Sequence, residues 1–311
     1  MDRRRYFSVW HGQPGERLPA LFPQTATLRT SVGCPHRCAF CAVPYICGGR
    51  YLRKTPEAAV AEIAAVAEKH IYFVDDEMFV DAGRAMEMAR RLVQRGIRKR
   101  YISWARCDTI VRHPELFQRW KEAGLDLLYV GIESMNDQNL KSYNKRCDAG
   151  TNRAAVRILR KMGIGLHAAL MVNPDFDRED FLEVRQTVRE LAPCEISFTV
   201  FSPPPGTPLW ETHRARFVCP DPYAFYDCMH TLLPTTLPLK TFYRYFSLLY
   251  LYAFRDNPWR RDRIGAPLGE KIRFLRNGLR FGWALRNIHK DYRSAAACRP
   301  RLCLPGDSER D

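Results

Sequence analysis

Gly33-Cys34-Pro35-His36-Arg37-Cys38-Ala39-Phe40-Cys41 follows directly on an apolar, strand-like stretch, Ala26-Thr27-Leu28-Arg29-Thr30-Ser31-Val32. Its cysteines are spaced C-x3-C-x2-C. Three thiolates on one tight loop can hold three irons of a 4Fe–4S cluster, whereas an electron-transfer cluster ordinarily takes four. The missing fourth leaves one iron open to bind and activate another molecule. Phe40, just before the last cysteine, is positioned to shield such a cluster from water. A structural zinc site would need a fourth Cys or His. Cys47 lies nearby, and on the loop alone that alternative stays open.

On either side of this loop, strand-like and helix-like segments alternate from residue 26 to 205. Apolar or β-branched runs fall at 26–33, 70–75, 100–105, 127–132, 165–172 and 195–201. Amphipathic stretches lie between them at 56–68, 83–95, 114–123, 151–162 and 178–191. Thr55-Pro56 has the chemistry of an N-cap followed by a first-turn proline, and Asp81 and His113-Pro114 make similar helix starts. Strands separated by helices argue for βαβ units with parallel pairing. The expected fold is therefore α/β, an open six-stranded parallel (β/α)6 partial TIM barrel over 26–205. Residues 1–25, rich in Arg, Pro and Gly, read as an arm or linker. The run Pro203-Pro204-Pro205-Gly206-Thr207-Pro208 is a hard stop, and 206–311 reads as a helical C-terminal extension. Parallel barrels carry their chemistry at the carboxyl ends of the strands, where the three-cysteine loop falls.

The strand ends supply further candidates. An acidic run, Asp75-Asp76-Glu77, closes the second strand; buried there, it is costly unless it meets a cation or a donor. A helix N-cap cluster is the other reading. Arg106, at the end of the third strand, is a fixed cation whose fork suits a carboxylate, either a ligand's or that of Asp76, Glu77 or Asp108. Glu133 ends the fourth strand as a carboxylate that can accept hydrogen bonds. Lys145 and Arg146 suit a ligand carboxylate or, more simply, a solvated loop, and Gly163 and Gly165 beside the fifth strand suit the close approach of a flat ring or, equally, a plain turn.

Charge is unevenly spread. The whole chain carries +15, and residues 255–301 hold 13 Arg or Lys against 4 Asp or Glu. A basic tail suits nucleic acid or anionic lipid headgroups, or is a solvated face. Within it, Leu268, Ile272, Leu275, Leu279 and Trp283 are spaced as one apolar helical stripe. No apolar run approaches the roughly 20 residues of a membrane span. Eleven cysteines form no secreted disulfide framework, and Met1-Asp2-Arg3-Arg4-Arg5 does not begin a signal peptide. A cytoplasmic protein with reduced thiols, peripheral at most to a membrane, is expected.

The cysteine loop resembles the signature of the radical S-adenosylmethionine (radical SAM) enzymes. The segments Trp104-Ala105-Arg106-Cys107-Asp108, Leu128-Tyr129-Val130-Gly131-Ile132-Glu133, Met171-Val172-Asn173-Pro174-Asp175-Phe176 and Pro203-Pro204-Pro205-Gly206-Thr207 are similar to a cobalamin-associated subgroup that includes hopanoid C-3 methylases. The resemblance covers roughly residues 26–255 and implies the same barrel. It implies that Cys34, Cys38 and Cys41 hold the cluster and that Phe40 covers it. It further implies that Asp76 and Glu77 meet the amino group of S-adenosylmethionine, that Arg106 is a candidate for its carboxylate, and that Glu133 binds its ribose. An electron from the cluster then cleaves the cofactor to a 5′-deoxyadenosyl radical, so a low-potential donor of flavodoxin or ferredoxin type is an implied partner. Members of the subgroup usually carry an N-terminal cobalamin domain with a D-x-H-x-x-G loop. This chain has no such loop, because His11-Gly12 lacks the preceding Asp, so the cobalamin domain is expected to be a separate chain, to have been lost, or to lie outside a fragment.

Two substrate classes fit. A lipid or isoprenoid, methylated or rearranged at an unactivated C–H bond, suits the aromatic and basic-amphipathic tail. A tRNA or peptide substrate would use the tail on phosphate, although no nucleic-acid module is recognisable. A non-catalytic iron–sulfur protein is the third reading.

Overall fold

The computed structural model describes residues 25–219, 221–256 and 268–294. All but the last residue of the expected arm, and much of the basic tail, lie outside them. The strands are β1 (Thr25–Leu28), β2 (Ser31–Val32), β3 (Leu52–Arg53), β4 (His70–Phe73), β5 (Arg100–Arg106), β6 (Leu125–Glu133), β7 (Gly165–Val172) and β8 (Glu195–Val200). The helices are α1 (Val43–Ile46), α2 (Pro56–Ala65), α3 (Ala82–Gln94), α4 (Cys107–Arg112), α5 (Pro114–Ala123), α6 (Asp137–Ser142), α7 (Ala149–Met162), α8 (Arg178–Leu191), α9 (Pro208–His213), α10 (Leu239–Asp256), α11 (Leu268–Asn287) and α12 (Asp291–Ser294).

Six strands form one sheet in the order β1-β4-β5-β6-β7-β8, every pairing parallel. The two end strands do not meet, so the barrel is open, as the alternating pattern predicts. Helix starts follow the sequence signals. Thr55 accepts from the Ala58 amide ahead of Pro56, Asp81 accepts from Arg84, and Asp177 forms a capping box with Asp180. The expected first strand, 26–33, is instead two. The chain turns after Leu28, and β2 pairs antiparallel with β3 as a small flap beyond the barrel.

Alternation along the strands separates two environments. Ile71, Phe73, Tyr101, Leu128, Val130, Ala168 and Phe198 face the helices and are fully buried. Trp120 of α5 stands edge-on to Phe73, Phe79 and Tyr101, with its Nε1 donating to the Ala85 carbonyl at 3.0 Å. The alternate residues, Tyr72, Trp104, Tyr129, Ala169 and Ser197, face the barrel interior and are only half-buried. The interior is thus an accessible trough beneath the cysteine loop.

Beyond the barrel, α10 packs on α8 and β8. Phe242, Tyr243 and Phe246 are fully buried, each side chain worth about 1.5–3 kcal/mol on transfer from water. Phe242 meets Phe181 edge-on at 5.5 Å, and the Tyr250 hydroxyl bonds both the amide and the carbonyl of Phe198. The proline stop acts locally. Thr207 caps α9, accepting from Trp210 while its hydroxyl donates to the Pro204 carbonyl.

Candidate functional site

The cysteine loop is anchored from both sides. Gly33 has φ +95°, and a Cβ there would stand 2.0 Å from the Arg50 carbonyl oxygen, so only glycine fits. Its amide donates to Asp76 at 2.7 Å. Next door, buried Asp75 accepts from the Thr30 amide and hydroxyl and from the Ser31 hydroxyl. This is why the first strand breaks after Leu28: two hydroxyls and an amide turn to the carboxylate closing β4. Farther along, the Ala39 amide donates to the Tyr143 carbonyl at 2.9 Å and the Asn144 side chain donates to Arg37. The Phe40 ring stands edge-on to Tyr143 at 5.8 Å.

Cations converge on the central cysteine. Buried Arg106 directs Nη1 to the Cys38 sulfur at 3.4 Å, Nε to Asp108 at 2.8 Å and Nη2 to the Lys145 carbonyl at 2.6 Å. Of the carboxylates expected beside it, Asp108 is the one it pairs with. Burial alone would lift the Asp108 carboxyl, but Arg106 outweighs it and holds the group below the usual carboxylate range. The thiols of Cys34 and Cys41 are pushed up by burial, Cys34 to about 11. A bound metal reverses such a shift, since coordination deprotonates a thiol outright.

Glu133 sits at φ 61°, beside a register shift between β6 and β7. That left-handed backbone is costly for a non-glycine residue. It turns the carboxylate back over Gly131, where an added Cβ would stand 2.5 Å from Glu133 Oε1 and 2.8 Å from Lys145 Nζ. Glu133 and Lys145 form a buried ion pair at 2.9 Å. Lys145, expected as a solvated loop residue, is only 5% exposed. Burial lowers its pKa, yet Glu133 more than compensates and the ammonium is held charged. Its Nζ also lies 5.5 Å from the centre of the Phe40 ring. Arg146 is exposed, as expected.

The acidic run at the β4 end is divided. Asp75 and Asp76 hold the loop, and Asp81, not this run, caps α3. Glu77 is buried and accepts from the Phe79 amide at 3.2 Å. Burial pushes its carboxyl up to about 7, with Phe79, Arg106 and Lys145 offsetting part of the shift. A cation brought against it would draw off that proton.

Within the trough, three rings form a floor. Trp104 lies 3.8 Å from Tyr129, and Tyr129 stacks on His167 at 4.1 Å. Trp104 Nε1 donates to the Tyr72 hydroxyl, the Tyr129 hydroxyl meets Ser197, and His167 Nδ1 pairs with Glu195 at 3.0 Å. His167 Nε2 is buried with no hydrogen-bond partner among the described residues. One register step nearer the loop stand Gly131 and Ala169, and the space beside Gly131 is taken by the Glu133–Lys145 pair. Sequence reading missed this floor, Tyr143 and Asn144, and favoured a solvated loop for Lys145. The floor's signal was there in the alternate positions of three strands, but period alone does not say which face lines the interior.

The donor set suits a cluster carried on the loop. Among the described residues no three His, Cys, Asp or Glu side chains gather tightly enough for one ion. Thiolates on separate irons stand farther apart than ligands of a single ion, and guanidinium and ammonium groups nearby offset their charge. Residues 28–188, more than half of the chain, match the Radical SAM superfamily. The hopanoid C-3 methylase of Methylococcus capsulatus is 31% identical over 92% of this chain and 54% of its own length. The hopanoid C-2 methylase of Rhodopseudomonas palustris is 26% identical over 58% of this chain and 40% of its own. The anaerobic magnesium-protoporphyrin IX monomethyl ester cyclase of Cereibacter sphaeroides is 25% identical, with 79% and 42% covered. The chain therefore spans about half the length, or less, of these relatives. Because the match runs from the end of β1 into α8 and contains every candidate site residue, the protein belongs to the radical SAM superfamily.

Proposed function

We propose that the protein is a radical SAM enzyme acting on an unactivated C–H bond of a lipid or isoprenoid, with methylation or rearrangement as the outcome. In this reading Cys34, Cys38 and Cys41 would hold a 4Fe–4S cluster, leaving it open to S-adenosylmethionine. When bound, these two groups supply an electron and a carbon radical able to take a hydrogen atom from an unactivated position. The remaining work falls to side chains. Glu77 and Asp76 would accept hydrogen bonds from the cofactor's ammonium. Arg106 offsets the charge of the Cys38 thiolate and faces the cofactor carboxylate. Glu133 accepts from the ribose hydroxyls, and Phe40 keeps water from the cluster.

The observation that carries the reading is the convergence of Arg106, Lys145, Glu133 and Glu77 around a three-cysteine loop at the strand ends. An apolar substrate is supported by the ring floor of Trp104, Tyr129 and His167 and by two relatives named as hopanoid methylases. The electron would come from a flavodoxin- or ferredoxin-type donor in the cytoplasm. Methyl transfer would draw on cobalamin held outside the described residues, on a separate chain or elsewhere in a longer protein. We place the catalytic unit at 26–205 and assign 206–311 to substrate delivery, with peripheral membrane contact.

The test is anaerobic reconstitution with iron and sulfide, followed by S-adenosylmethionine and dithionite. Formation of 5′-deoxyadenosine that disappears in Cys34→Ala is the expected result. A fully loaded protein that never cleaves the cofactor, or one that takes up zinc in place of iron, would overturn the reading.

A further inference from the structure

Helix α11 is apolar on two sides. Its inner side packs on α10 and the chain beyond: Phe281, itself 44% exposed, meets Tyr250 edge-on at 5.1 Å, and Leu285 and, just past the helix end, Ile288 are buried. This contact with α10 fixes how the helix is turned. The second stripe then faces outward, with Leu268 72%, Ile272 58%, Leu275 52%, Leu279 63% and Trp283 68% exposed. Spacings of three and four place these five side chains in one row. Arg276 and Arg280, each one residue on, form the adjoining row and are exposed.

At its carboxyl end the stripe runs into a cationic cavity of about 620 Å³. Trp283 belongs to both. The cavity is lined by Lys240 and Arg244 of α10 and by Arg286, His289 and Lys290, and among the described residues no acidic side chain lines it. Lys290 Nζ stands 5.9 Å from the centre of the Trp283 ring. An apolar row flanked by arginines, with a tryptophan at its edge, suits the boundary between headgroups and acyl chains. Four cations around one cavity suit a phosphate. No described helix is long and apolar enough to cross a membrane, so the match is to lying on a bilayer.

We infer that α11 docks the protein on an anionic phospholipid surface, with the row Leu268–Trp283 among the acyl chains and a lipid phosphate between Lys240, Arg244, Arg286 and Lys290. Charge complementarity selects this occupant. A protein surface covering the row would have to satisfy the cavity's cations as well, whereas a phospholipid supplies both parts in the same order. The inference deepens the lipid-substrate reading by giving the chain a route to such a substrate, but the binding does not depend on that reading.

The experiment is co-sedimentation of the full chain with phosphatidylglycerol and with phosphatidylcholine vesicles, at low and physiological salt. Binding to the anionic vesicles at least tenfold above the neutral ones is expected, with part of it surviving salt. Leu275→Glu/Leu279→Glu lies on exposed positions and should abolish the salt-resistant part. Arg286→Glu/Lys290→Glu should abolish the preference for phosphatidylglycerol. The inference is overturned if the wild-type chain stays in solution with anionic vesicles. It is equally overturned if both variants bind like wild type, if the row variant only converts a dimer to a monomer, or if the charge variant loses tRNA binding and no lipid binding. Radical chemistry on a detergent-dispersed lipid without vesicle binding would sink this inference alone. Vesicle binding by a chain inert toward lipids would sink only the substrate reading.

Discussion

The barrel mouth and α11 break the ordinary partition of side chains in opposite directions. At the mouth, charges are inside: Asp75 and Glu77 are 3% exposed, Lys145 5% and Arg106 7%. On α11, large apolar groups are outside. Charged residues are almost never buried unless paired, and at the mouth the pairing is explicit: Asp75 with hydroxyls and an amide, Arg106 with Asp108, Lys145 with Glu133. On α11 nothing among the described residues covers the outer row. The mouth is a preorganised interior that its own chain completes. The extension is a surface that awaits something else. The two therefore respond differently to mutation: the mouth should lose stability and cofactor together, the outer row of α11 only binding.

The largest effect expected is at the loop itself. Cys34→Ala, Cys38→Ala or Cys41→Ala should remove the cluster entirely, read as iron and sulfide content, with no 5′-deoxyadenosine formed. Retained activity in any one of them would undo the assignment of the loop. Gly33→Ala comes next. A methyl group 2.0 Å from the Arg50 carbonyl and a φ of +95° force the loop to shift, so iron uptake should fall sharply although every thiol remains. Full iron loading would show that the loop tolerates a backbone the geometry disallows.

Glu133→Ala tests the ion pairs quantitatively. Removing one partner of a buried pair typically costs about 3–5 kcal/mol, because the other charge is left uncompensated. The exposed pair Arg153–Glu190 serves as a control, where Arg153→Ala should cost under about 1 kcal/mol. Urea unfolding of the two variants reads the difference. The same Glu133→Ala protein should retain its iron and bind S-adenosylmethionine more weakly. Equal costs at the two sites would mean that the mouth is more hydrated than its burial indicates, and the contrast between the regions would collapse.

What was legible in the sequence follows the same division. Strand and helix positions were readable because alternation and caps are local, as at Thr55-Pro56 and Asp81. The break after Leu28 was not, since it depends on Asp75 reaching Thr30 and Ser31 from 44 or 45 residues away. Helix α4 was missed because it starts straight from β5 with Arg106 as its N-cap and no side-chain cap. Lys145 read as loop because nothing local announces the turn of Glu133 at φ 61°. The row on α11 was legible as a stripe, but its direction is settled by Phe281 and Leu285, which periodicity alone cannot rank against it.

The smallest expected effect probes how the extension is tied down. His230 bonds Asp227 at 2.8 Å and Asp291, at the start of α12, at 3.1 Å. Tyr292, the next residue, donates to the Thr231 carbonyl at 2.8 Å and shares a hydrogen bond with Tyr243 at 2.9 Å. Burial alone would lower the His230 pKa, but the two carboxylates outweigh it and the group ends above its ordinary 6.5. A folded-state pKa above the unfolded value means that the native protein binds the proton more tightly. The contribution is therefore fully present below about pH 6.5 and is lost as pH rises through the raised folded value. Both carboxylates are partly exposed, so the magnitude should be about 1 kcal/mol or less. Wild type should accordingly lose stability relative to His230→Gln between slightly acid and slightly alkaline pH, with Asp227→Asn flattening the same difference. Because the bond ties α12 to the loop after β8 and leaves the mouth untouched, cofactor cleavage should not follow this pH trend. If it did, the two regions would be coupled, and the extension would be part of the catalytic unit and not a surface attached to it.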